Sequence, residues 1–274
     1  MDHRAYSYYE ANAADISFED ITSSKKNSRI LRWIRDGDDK ISHLTLGRDS
    51  CVQFSIGKGD NLGWLGYFIG RSVKIQSLDI WHLNPGGWEP QWEQQIDDFM
   101  FGLTRNQSIR CIRAFHVRGY ESTALLRALG NLSLLEKLDY GHSYITLDGY
   151  SALGTLLESG VCKLKKIHLM SSNIDDDGVA AFANGLRSIG PFLRELLLPD
   201  NSIGNEGLSA LVAALESCTS LERLNLSDND FSLATAGLGS LSDLLQTAVL
   251  NLNELSLQYC AINDEGLQAL TEGA

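Results

Sequence analysis

The chain has 274 residues, is 43% hydrophobic and carries a formal net charge of −12. That apolar content suits a protein with a packed core, while the acidic balance argues against nucleic acid or an anionic membrane as partner. The charge is lopsided: 15 acidic and 3 basic residues follow Ser171, whereas the first 170 residues hold 20 of each.

Residues 1–40 read as a polar, loose segment followed by a short helix. The opening MDHRAYSYYEANAADISFED lacks the basic start and apolar run of an export signal. In SRILRWIRDGDDK, Ile30, Leu31, Trp33 and Ile34 form an apolar side, placed to cap the first strand. No later segment approaches about 18 uninterrupted apolar residues. Five cysteines with no CxxC pair point to free, buried thiols in a reducing compartment, so the expected location is cytoplasmic.

From Ile41 onward the chain repeats itself. ISHLTLG, IQSLDIW and IRCIRAF begin at Ile41, Ile75 and Ile109, and clearer copies begin at Leu135, Leu164, Leu193, Leu221 and Leu252, the last five spaced 29, 29, 28 and 31 residues apart. Within each copy apolar residues alternate with others, the pattern of a short strand with one buried face. An Asn (Asn201, Asn229), an apolar anchor (Ile174, Ile203) and a Gly (Gly178, Gly207) follow, and then an apolar helical stripe such as Leu208, Leu211, Val212 and Leu215. One strand–helix pair cannot bury both faces, but stacked neighbours can.

Several stretches invite a chemical reading. GKGDNLGWLG (57–66) misses the spacing of a phosphate-binding loop and reads as a flexible connection. In NPGGWEPQWEQQIDDFMFGL (84–103), Pro90 suits the first turn of a helix that packs Trp92, Ile96, Phe99 and Leu103, and Trp88 is either a staple or an exposed anchor. The carboxylates of NIDDDG (173–178) are consecutive rather than alternating, so they suit a helix N-terminus and not a calcium loop. Cys162 and Cys218 read as core. No nucleophile elbow or HExxH motif is present, and the chain is read as a non-enzyme without metal or cofactor.

These copies resemble the leucine-rich repeat family. The LxxLxLxxNxIxxxGxxAL form and the 28/29-residue alternation point to its ribonuclease-inhibitor-like class. The resemblance implies an α/β horseshoe: a right-handed solenoid with about eight parallel strands on the concave face and helices on the convex face. It covers roughly Ile30 to Ala274, giving a repeat domain over 41–274. The Asn position departs from the pattern in Asp49, Leu83, Val117, Ser143 and Ser172, while Cys260 is an accepted substitute. The chain stops inside its last helix, so a C-terminal cap is expected to be missing.

In such a fold the residues between framework positions point outward from the strands. The expected partner-binding set is Asp79, Trp81 and His82; Arg113, Phe115 and His116; Lys137, Asp139 and His142; and Lys166, His168 and Met170. His82, His116 and His142 fall at one position in three successive copies. Such a column could form a three-histidine zinc site, but the sequence offers no fourth ligand, and recognition of a protein is preferred. The resemblance implies an interaction scaffold of unknown oligomeric state that binds protein, not nucleic acid or membrane. Alternatives are a regulator of a GTPase or other enzyme, as in the GTPase-activating members of the class, and the sensing fragment of a NOD-like receptor.

Overall fold

The structure is a computed structural model that describes residues 3–47, 53–57, 61–83, 92–247 and 250–272. Trp88 and Pro90 lie outside the described residues. The chain divides into two compact units, Met1–Leu135 and Glu136–Ala274.

The first unit opens with helices α1 (His3–Asn12), α2 (Phe18–Ile21) and α3 (Lys25–Asp36), then a single 3-10 turn. Strands β1 (His43–Gly47), β2 (Phe54–Ser55), β3 (Ser77–Trp81) and β4 (Cys111–Phe115) lie parallel in the order β2-β1-β3-β4. Helices α4 (Leu62–Arg71), α5 (Trp92–Leu103) and α6 (Tyr120–Leu129) intervene.

Three expectations are corrected in this unit. The opening residues are not loose, because α1 buries Tyr6 and Tyr9. Tyr9 lies edge-on to Trp64 with centroids 4.9 Å apart, and its hydroxyl donates to Asp98 at 2.8 Å. The chain's own aromatics thus supply the partner surface that composition alone did not reveal. The capping helix α3 does bury Ile30, Leu31 and Ile34, but the strand it meets is the unexpected β2. Asn27, fully buried on α3, donates to the Ser55 carbonyl at 2.8 Å and accepts from the Ser55 amide at 3.1 Å. One side-chain amide therefore imitates a neighbouring strand and satisfies a sheet edge. Third, the part of the glycine-rich stretch from Leu62 onward is helix, inside α4, rather than a connection, while residues 58–60 lie outside the described residues. Its glycines serve close packing: a Cβ on Gly66 would lie 2.5 Å from the Phe99 carbonyl oxygen of α5.

The second unit is more regular. Strands β5 (Lys137–Gly141), β6 (Lys166–Met170), β7 (Glu195–Leu197), β8 (Arg223–Asn225) and β9 (Glu254–Ser256) are parallel neighbours in chain order. They alternate with α7 (Leu147–Glu158), α8 (Asp176–Ile189), α9 (Asn205–Leu215), α10 (Thr235–Gln246) and α11 (Asp264–Glu272). Asp175 is the N-cap of α8 and accepts from the Gly178 amide at 2.8 Å, the structural role read for that acidic run. Cys162 and Cys218 are core residues, and burial pushes the Cys218 thiol up to about 12.

Successive repeats of this unit are tied by side-chain donors at one position. The Asn201 amide donates to the Leu169 carbonyl of the preceding repeat at 2.8 Å, and Asn229 to Leu198 at 3.0 Å. Cys260 makes the same reach to Leu226 at 3.1 Å, and Ser172 reaches Tyr140 at 3.5 Å. Asn229 also accepts from the Ile203 amide at 3.0 Å. Burying such a donor or acceptor without its partner costs about 1–3 kcal/mol. Replacing Asn229 with Ala, which strands several backbone groups at once, should therefore cost about 2–4 kcal/mol in urea unfolding. A loss under about 0.5 kcal/mol would show that the ladder contributes little.

Candidate functional site

Strand alternation decides which side chains the sheets can offer. In the first unit Leu78, Ile80, Ile112 and Ala114 point inward and are fully buried. Their neighbours face away from the helices, in a register that sets Thr45 opposite Asp79 opposite Arg113, and Gly47 opposite Trp81 opposite Phe115.

Asp79 is claimed from both sides. Arg113 Nε donates to its Oδ1 at 2.7 Å, and His43 Nε2 lies 3.5 Å from its Oδ2. His43 of β1 is not among the expected site residues, yet it lies on this face. With that carboxylate occupied, the rest of the face is largely aromatic. Trp81 stacks on Phe115 with centroids 4.5 Å apart, and His82 on His116 at 4.6 Å with an interplanar angle of 3°. All four rings are half-buried. Gly47 makes room for this arrangement: its φ is 155° and a Cβ there would sit 1.8 Å from the Trp81 carbonyl oxygen.

In the second unit the face is a chain of alternating charges. Lys137 lies 3.1 Å from Asp139, and His168 stands between Asp139 (3.8 Å) and Glu195 (3.0 Å). Lys166 donates to Glu195 at 2.7 Å, and Arg223 joins Glu195 (3.8 Å) to Glu254 (2.7 Å). Burial works against ionisation of Asp139 and Glu195. Hydrogen bonds from His168 and Lys137 to the first, and from Lys166 and His168 to the second, outweigh it and hold both carboxyls below their ordinary range. The folded state is thereby stabilised above the ordinary carboxylate range, and that stabilisation is lost as pH falls through the depressed values. Met170 and His142 are exposed beside this network.

The histidine position has a backbone cause that the sequence pattern did not reveal. His82, His116 and His142 have φ of 48°, 56° and 50°, and Ser171, Asp200, Asp228 and Tyr259 have 49°, 54°, 55° and 57° at the equivalent place. Histidine and aspartate are enriched several-fold in this left-handed region. In this conformation the amide of His142 donates to the Met170 carbonyl of the next repeat at 3.0 Å, and Asp200 and Asp228 make the same bond to Ser227 and Gln258 at 2.9 Å. Among the described residues, no group of three or more His, Cys, Asp or Glu could hold a metal ion.

The sequence matches the family model described as Leucine Rich repeat at residues 162–183, 191–212, 217–234 and 250–270. No curated protein matches it. Among solved structures the chain is similar to a TLR13–ssRNA13 complex, at 16% identity and a TM-score of 0.36, covering 77% of this chain and 32% of that one. It is also similar to a protein from Bacteroides fragilis, at 12% identity and a TM-score of 0.29, covering 73% and 72%. The chain thus spans 32% of the length of the first of these. No described helix is long and apolar enough to cross a membrane.

If backbone conformation governs the column, His142→Gly should leave stability unchanged or slightly higher. His142→Val should cost about 1–2 kcal/mol, because a β-branched residue resists the left-handed region. Equal losses in the two variants, measured by urea unfolding, would show that the imidazole itself is what matters.

Proposed function

This chain is a leucine-rich repeat protein, and we propose that it is a scaffold that binds a protein partner through the outward side chains of its strands. The observation that carries the reading is the stacked pair Trp81 and Phe115, which lies on the helix-free side of its strands and is only half-buried. Aromatic and arginine side chains supply most of the binding energy at protein interfaces. Here the aromatics are held in place by the sheet register, so little conformational freedom is lost when a partner covers them.

The expected site residues divide into two kinds. Trp81, Phe115, His82 and His116 offer ring surface to the partner. Asp79 and Arg113 are paired within the first unit, and Lys137, Asp139, Lys166 and His168 within the second, where Met170 and His142 are exposed; these charged groups select partners by charge. Such a role needs no cofactor and no catalytic step. The net charge of −12 favours a protein over nucleic acid or membrane. The free cysteines at 111, 162, 218 and 260 favour a reducing compartment, the cytoplasm.

The test is affinity capture with the recombinant chain beside the double variant Trp81→Ala/Phe115→Ala, its fold checked by circular dichroism. Proteins held by the natural chain should be lost from the variant, with affinity falling at least about a hundredfold for two truncated anchors. An identical set of captured proteins at unchanged affinity would remove the reading.

A further inference from the structure

The helical side of the second unit carries a surface unrelated to the strand face. Between α9 and α10 runs a groove of about 430 Å³. Its floor includes Val212 and Leu244, each only 4% exposed, and its sides include Ala213 and Ser240. Glu216 and Asp243 stand exposed at its margins. α9 begins twelve residues after Leu193, whereas α10 begins fourteen after Leu221, so the two helices do not enter their repeats at the same point.

The charged side chains that line this groove are both acidic. Neither α9, α10 nor α11 contains a lysine or arginine. Arg187 of α8 directs its guanidinium to the Ala213 carbonyl at 3.4 Å and is not among the groove's lining residues. An acidic ligand would meet two like charges at the margins. A wholly apolar one would desolvate both carboxylates without giving them partners.

We propose that the α9–α10 groove docks a basic amphipathic segment of a partner protein, with an apolar side chain seated over Val212 and Leu244 and flanking lysines or arginines paired with Glu216 and Asp243. The apolar anchor supplies the affinity, and the rim pairs select sign and speed encounter. A helix laid along the groove can present both groups, since residues three and four apart share a face.

The probe is a fluorescein-labelled helical peptide of roughly 14 residues, with leucines at helical spacing on one face and lysines elsewhere. Its anisotropy is followed with the full chain, with Glu216→Lys/Asp243→Lys, and with Asp148→Lys/Glu158→Lys, which makes the same charge change on α7. The groove variant should weaken binding by at least about tenfold and the α7 variant by no more than about twofold. Amide shift perturbations on the natural chain should centre on α9 and α10. Equal loss in both variants would mean diffuse attraction to an acidic protein and would overturn the proposal, as would no binding or perturbations confined to the strands. The Trp81→Ala/Phe115→Ala variant should bind this peptide normally, which keeps failure here distinct from failure of the strand-face reading.

Discussion

Stacking one strand–turn–helix unit on another brings backbone carbonyls into an interior that water does not reach, and each must find a donor. In the second unit the donor comes from the next repeat: Ser172, Asn201, Asn229 and Cys260 reach back to the carbonyls of Tyr140, Leu169, Leu198 and Leu226. The residue just before each donor takes a left-handed conformation, and Ser171, Asp200 and Asp228 there donate their amides forward to the following repeat. Bonds in both directions fix how neighbouring repeats sit. The strand face inherits its geometry from that constraint, so its outward side chains can vary without disturbing the core.

The first unit meets the same demand differently. Leu83 and Val117 occupy the donor position and are buried as apolar residues. A donor acts instead at the other end of the repeat, where Asn106 gives its amide to the Ile69 and Ser72 carbonyls at 2.7 and 3.0 Å and accepts from Ser108 and Ile109 at 2.8 Å.

Periodicity made the repeats legible, since alternating apolar residues at 28–31-residue spacing admit few other folds. The first apolar residues of eight copies followed from that alone, and the expected outward positions came from the family resemblance. Contacts between residues far apart in sequence were not legible. β2 has two residues and no period, and it exists because Asn27 and α3 complete its edge. The packing of α1 rests on Tyr6 and Tyr9 meeting rings more than fifty residues away. For the histidines, the sequence suggested a chemical column where the chain imposes a backbone conformation first. The sequence also carried no trace of the α9–α10 groove, which depends on how two helices sit side by side.

The claim on which the rest depends is that the left-handed position is a structural joint between repeats and not an exposed loop. Hydrogen exchange at the Asp200 and Asp228 amides tests it directly, because both side chains are exposed while both amides are bonded to the next repeat at 2.9 Å. Exchange as slow as that of the strand amides in β6–β8 is the predicted result. Exchange at the rate of open surface loops would contradict the account.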